Sequence, residues 1–152
     1  MTDQQSMQCV LNFLDAFYKG DVPRLEACCH DGFTSIIHAP VDIFPHLGLK
    51  EGKSWIAQAV RIQQERYSAR RYTLQSIVVD GDQAAALMQV NLTKRSDQRI
   101  LQFAVADFYG LRDGLILNHQ SLFDSFDFLQ QVLGRDLTVE FARSVKIAMD
   151  GK

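Results

Sequence analysis

Asp107 and His119 are the residues of this chain best suited, by type and spacing, to acid–base chemistry. Both lie in the run DFYGLRDGLILNHQSLFD, residues 107 to 124, roughly equidistant from an Asp-Gly step. A carboxyl group held in an apolar cavity is expected to have a raised pKa. It then donates a proton, or a hydrogen bond, to developing oxygen charge. An imidazole titrates near neutrality and suits proton transfer. If the two touch, they share a proton and titrate together. His38, just before Ala39-Pro40, is a third candidate for moving a proton. Ser121 offers a polar pocket group and Tyr109 a hydroxyl near the rim. Trp55, Tyr18 and Phe17 are the aromatic side chains expected to wall a ligand pocket.

These residues need elements to hold them. Two alternating apolar runs meeting at Asp113-Gly114 mark a β-hairpin. Its geometry decides which residues share a face. A three-residue turn at Arg112 to Gly114 puts His119 opposite Asp107, whereas a two-residue Asp-Gly turn puts Gln120 there. Upstream, period-two runs predict strands over Tyr72 to Asp80, Gln83 to Lys94, Arg99 to Gly110 and Leu115 to Asp124. Their short connections favour antiparallel neighbours.

The first half has helical spacing. Met7, Val10, Leu11, Leu14, Phe17 and Tyr18 recur as one helical face between Ser6 and Lys19, and Gly20 stops that helix. Asp21 can cap a second, with Pro23 in its first turn and Val22, Leu25, Cys28 and Cys29 as its apolar stripe. Phe33 to His38 is a strand, and a loop punctuated by Pro40, Pro45 and Gly48 follows. A third helix carries Trp55, Ile56, Ala59, Val60 and Tyr67 on its buried side. The end of the chain is helical with a break at Gly134. Helices first and an antiparallel sheet afterwards predict an α+β fold. Ala84, Ala86, Met88 and Val90, with Ala104 and Ala106, are expected on an open sheet face where a second copy packs as a homodimer.

At 152 residues with a formal net charge of −2, the chain is expected to be one domain with no pull on a phosphate backbone. Arg61, Arg66, Arg70 and Arg71, interrupted by Glu65, read as a solvated helix face, so no nucleic-acid partner is expected. Cys9, Cys28 and Cys29 read as reduced, buried thiols. No signal peptide and no membrane-spanning run is seen, which points to a cytoplasmic protein without a membrane partner. His30, His38, His46 and His119 show no metal-ligand spacing, and no phosphate-binding loop or nucleophile elbow occurs. No metal and no cofactor are expected.

Two stretches carry a family likeness. The run FLDAFYKGDVPRLEACCHDGF, from Phe13 to Phe33, and the closing hairpin DFYGLRDGLILNHQSLFD resemble the SnoaL-like branch of the nuclear-transport-factor-2-like superfamily. That superfamily also holds ketosteroid isomerase, limonene epoxide hydrolase and polyketide cyclases. The resemblance covers about residues 5 to 130, with a C-terminal helical extension over about 134 to 150 in a single domain of 1 to 152. It implies a strongly curved, antiparallel or mixed sheet wrapped on the N-terminal helices into a cone. An apolar cavity lies inside, usually in a dimer. It favours the three-residue turn, with His119 inward.

The resemblance also implies specific departures. Asp107 matches the carboxylic acid that stabilises an enolate oxygen in the isomerase branch. Phe13 stands where that branch has a tyrosine, and Ile36 near where its proton-abstracting aspartate belongs. Ser121 stands where the epoxide hydrolase branch has an aspartate. Proton transfer on a hydrophobic small molecule, cyclase- or isomerase-like, is therefore the expected activity. Asp107 is assigned to substrate oxygen and His119 or His38 to the moving proton. A non-catalytic carrier or sensor of hydrophobic ligands, and a dimeric interaction module, are the alternatives.

Overall fold

The computed structural model describes residues 1–151. The chain runs α1 (Asp3–Lys19), α2 (Val22–Ala27), β1 (Cys29–His38), β2 (Gly48–Glu51), α3 (Ser54–Arg66), β3 (Tyr67–Asp80), β4 (Gln83–Lys94), β5 (Ile100–Arg112), β6 (Leu115–Phe123), α4 (Ser125–Leu133) and α5 (Thr138–Asp150). The fold is α+β. One open six-stranded sheet has the order β2-β1-β6-β5-β4-β3. Every neighbouring pair is antiparallel except β1 and β6, which makes the sheet mixed. The parallel pair is possible because everything from β2 to β5 lies between its strands, far more than a crossover needs.

Helix α1 begins three residues earlier than its apolar face suggests, because Thr2 and Gln5 close a capping box there. Gly20 ends it in the left-handed conformation, φ 72°. The next helix is shorter than expected. It stops at Ala27, and Cys29 opens β1 instead of continuing the helical stripe. Tyr67 likewise belongs to β3, with extended backbone, and not to α3. Strand β2 lies inside the stretch expected to be loop.

The alternation of β4 is inverted relative to expectation. Ala84, Ala86, Met88 and Val90 are buried on the helix-covered face. The open face carries their neighbours Ala85, Leu87 and Gln89, paired with Phe108, Ala106 and Ala104 of β5. The physical reason is register. Ala86 pairs with Asp107 and Ala84 with Tyr109, so the small residues give room to inward-facing polar side chains. The other side shows exposed Val78, Leu87, Phe108 and Leu122. No helix among the described residues is long and apolar enough to cross a membrane.

Candidate active site

The closing hairpin turns at Asp113 and Gly114, both with positive φ (54° and 77°), the signature of a two-residue type I′ turn. The three-residue turn that the family resemblance favours is therefore absent. A regular continuation would put Gln120 across from Asp107. Instead Arg112 pairs with Leu115 and Leu111 with Ile116, the register shifts, and Gly110 pairs with Asn118. Leu117 is the extra residue, a β-bulge. Past it, Tyr109 lies opposite His119 and Asp107 opposite Ser121. His119 thus faces inward for a reason different from the one anticipated.

The inward set forms a buried chain of polar groups. Tyr109 donates its hydroxyl to Asp107 Oδ2 at 2.8 Å. His119 Nε2 lies 3.2 Å from the same oxygen. On the other side of the ring, Nδ1 is 2.9 Å from Ser35 Oγ. Phe13 packs against the rings of both Tyr109 and His119, at 5.7 and 5.5 Å between centroids. Two atoms of this chain remain without a hydrogen-bond partner, Asp107 Oδ1 and His119 Nε2, whose approach to Oδ2 is off the bonding line. Buried polar atoms of this kind are costly unless something arrives to satisfy them.

Electrostatics reverses the expected state of Asp107. Burial pushes its carboxyl up, but the facing His119 charge and the hydroxyls of Tyr109 and Ser121 outweigh burial. The pKa is lowered below the ordinary carboxylate value. Asp107 is therefore an ionised acceptor at neutral pH and not a protonated donor. Tyr109 is shifted the other way, by burial and then by Asp107, and stays a donor. Burial, helped by the Asp107 charge, also raises the Tyr18 hydroxyl.

Asp107, His119, Ser121 and Ser35 open on a cavity of about 160 Å³. Its walls come from α1 through Phe13, Phe17 and Tyr18, from α3 through Trp55 and Ile56, and from α4 through Phe128. Phe17, Tyr18, Trp55 and Ser121 line this cavity. Tyr109 is not at a rim but buried behind Asp107 at 3% exposure. His38 is excluded from the cavity. It is exposed, pairs with Leu122 in the sheet and contacts Gln120 at 3.0 Å on the open face. Three steps of alternation from Ser35 put it there, so its base role is withdrawn. Among the described residues no cluster of ligands for a metal ion occurs. Burial pushes the Cys9 and Cys29 thiols up, to about 11 and about 12, which leaves them unreactive.

Ser35 was missed by the sequence reading. Its signal was the alternation Phe33, Ser35, Ile37, which fixes it on the inward face of β1. His46, Lys50 and Gln63 also line the cavity. Lys50 belongs to β2, whose four residues are too few to announce a strand.

A family model described as a SnoaL-like domain matches residues 10–119. No curated protein matches. Among solved structures, a proposed isomerase from Rhodopseudomonas palustris is 25% identical, with a TM-score of 0.75, covering 89% of this chain and all of that one. An LEH-like epoxide hydrolase of M. tuberculosis is 18% identical at a TM-score of 0.71, covering 92% and 98%. A proposed SnoaL-like polyketide cyclase from Jannaschia sp. CCS1 is 14% identical at 0.73, covering 85% and 92%.

Proposed function

The chain belongs to the SnoaL-like domain family, and on that premise we propose that it is a cofactor-independent enzyme moving a proton on a small hydrophobic molecule. The observation that carries this reading is the buried Asp107–His119 pair, which lines an apolar cavity and holds two polar atoms without hydrogen-bond partners. The size of the cavity adds a limit. An engineered protein cavity of about 150 Å³ holds benzene, so about one ring fits inside.

The chemistry follows from the protonation pattern. In the ion-paired form Asp107 is a carboxylate and His119 carries a proton on Nε2. A substrate carbonyl oxygen entering the cavity accepts that N–H. His119 keeps its proton, and Asp107 Oδ1, which has no hydrogen-bond partner, remains free to act as the base. Oδ1 takes a proton from the carbon beside the carbonyl, the C–H electron pair becomes the enolate double bond, and charge moves onto the oxygen held by His119. Where a C=C adjoins the enolate, return of the proton from Asp107 to its far carbon isomerises the substrate. Attack of the enolate carbon on a second carbonyl instead closes a ring, and the Asp107 proton passes to the new alkoxide. The apolar walls exclude water and strengthen both contacts. Tyr109 and Ser35 hold the pair in place.

The test needs no natural substrate. Wild-type protein is expected to accelerate hydrogen exchange into heavy water at the carbons beside the carbonyl of phenylacetone and other single-ring ketones, followed by proton NMR. Exchange no faster than with Asp107→Asn across such a panel would sink the reading. A carrier, the reading favoured by Phe13 standing where a hydroxyl is expected, binds these ketones without exchange. We also propose that the open sheet face is covered by a second copy through Phe108, Leu122 and Leu87. A monomer in equilibrium sedimentation at micromolar concentration overturns that assembly.

A further inference from the structure

Among the charged residues on the inward face of the sheet, Lys50 has no role in the proton transfer. Lys50 on edge strand β2 lies directly opposite Ser35 of β1, and Ser35 lies beside His119 of β6. Lys50 and His119 are thus two strands apart in one row. With strands about 4.8 Å apart, their Cα atoms are separated by about 10 Å along the sheet.

Lys50 and Trp55 line both the cavity and the open groove beside it, which puts them at its mouth, with the Lys50 ammonium 4.4 Å from the centre of the Trp55 ring. Among the described residues no carboxylate lies within ion-pair distance of it. Glu51, its neighbour, pairs with Thr34 on the alternate row. His46 lines the same cavity, and its Nδ1 is buried without a hydrogen-bond partner. Burial, then the positive charges of Arg66 and Lys50, push that imidazole down to about 4. A protein of net charge −2 therefore gathers unneutralised positive charge at one end of its cavity. It keeps a buried carboxylate, Asp107, at the other.

That polarity sorts ligands by orientation. An anionic group is attracted to Lys50 and repelled by Asp107, so it stays at the mouth while the rest of the molecule enters. A carboxylate there accepts from the Lys50 ammonium and from His46 Nδ1–H, which satisfies the orphaned atom. Trp55 covers the apolar part next to it. Resting on the proton-transfer reading above, we propose that the cavity mouth is a carboxylate subsite formed by Lys50 and His46, and that the substrate is a single-ring carboxylic acid whose reacting carbon lies at Asp107 and His119.

Calorimetric titration of the whole protein with hydrocinnamate and with hydrocinnamamide tests this. The two probes share one ring and one chain length and differ in charge. The acid is expected to bind about tenfold more tightly, as a hydrogen bond to a charged group implies. The preference should shrink as salt is raised. Lys50→Gln should remove the preference and leave the amide's affinity in place, and Lys50→Met should do the same while keeping the stem on Trp55. Equal binding of acid and amide by the wild type overturns the subsite and leaves the proton-transfer reading standing. So does a preference that survives both variants. In that case Lys50 serves only as an inward charge that guards a sheet edge against strand addition. Failure of both compounds to bind at millimolar concentration overturns the subsite and the small-molecule pocket together.

Discussion

The two faces of the β4–β5–β6 sheet are built from alternating residues of the same strands, yet each carries residues of the kind that usually belongs to the other. The face toward the helices holds Asp107, His119 and Ser121, all below 10% exposure. The face toward solvent holds Phe108 at 48% and Leu122 at 42%. The inner polar groups sit among buried Ala84, Ala86, Met88 and Val90, and the outer apolar ones sit among Gln89 and Gln120. Buried polar groups and exposed large apolar ones are the departures that call for a reason. The inner face gives up stability to hold polar groups without full partners, while the outer face leaves apolar area uncovered. Adjacent residues on one strand, Asp107 and Phe108, thus serve different ends.

The sharpest way to break this contrast is on the inner face. Asp107→Asn should lower ketone exchange by about 100- to 10,000-fold, the usual span for a general acid or base, measured by NMR at saturating ketone. Truncation of a fully buried apolar neighbour comes next. Ile116→Ala should cost about 2–5 kcal/mol in urea denaturation, since Ile116 is 0% exposed. Tyr109→Phe removes a donor from a buried carboxylate and should cost about 1–3 kcal/mol at neutral pH. This last difference carries a pH signature. The folded pKa of Asp107 is lowered, so its stabilising contribution is complete above the unfolded value of about 4 and is lost as pH falls through the folded one. The gap between wild type and Tyr109→Phe should therefore narrow in strong acid.

A smaller effect belongs to His46. Its folded pKa of about 4 lies below the ordinary 6.5, so the unfolded chain takes up a proton first on acidification. Stability should be complete above pH 6.5 and decline toward about pH 4, and His46→Gln should flatten that decline in thermal melts. The smallest change is expected outside. Val78→Ser, at a side chain 66% exposed, should shift stability by no more than about 0.5 kcal/mol in the isolated chain. A larger loss would mean that the contrast between the faces is overstated.

Much of this architecture was legible in the residues. Gln83–Lys94 announced itself because twelve residues of alternation are bounded by Gly81-Asp82 and by Arg95 to Gln98. The two cysteines after Ala27 misled because adjacent apolar residues suit a helix stripe and a strand start equally. Gly48–Glu51 is too short for periodicity to register, and the loss of that strand hid Lys50 as well. The inward facing of Asp107 and His119 was anticipated from family likeness, but turn chemistry and register made it so by another route. The ionisation of Asp107 was misjudged because burial is visible in an apolar context, while three partners from β5 and β6 are not.

The bulge at Leu117 has a consequence for how this protein can fail. If β6 slips by one position into the unbulged alignment natural to a two-residue turn, Asn118, Gln120 and Leu122 enter the cavity and His119 and Ser121 leave it. The strand count, the turn and the helices all survive such a slip. A lesion in the hairpin can therefore silence the chemistry while far-ultraviolet dichroism reports an intact molecule. For this chain, a normal spectrum does not certify that the inward pair is in place.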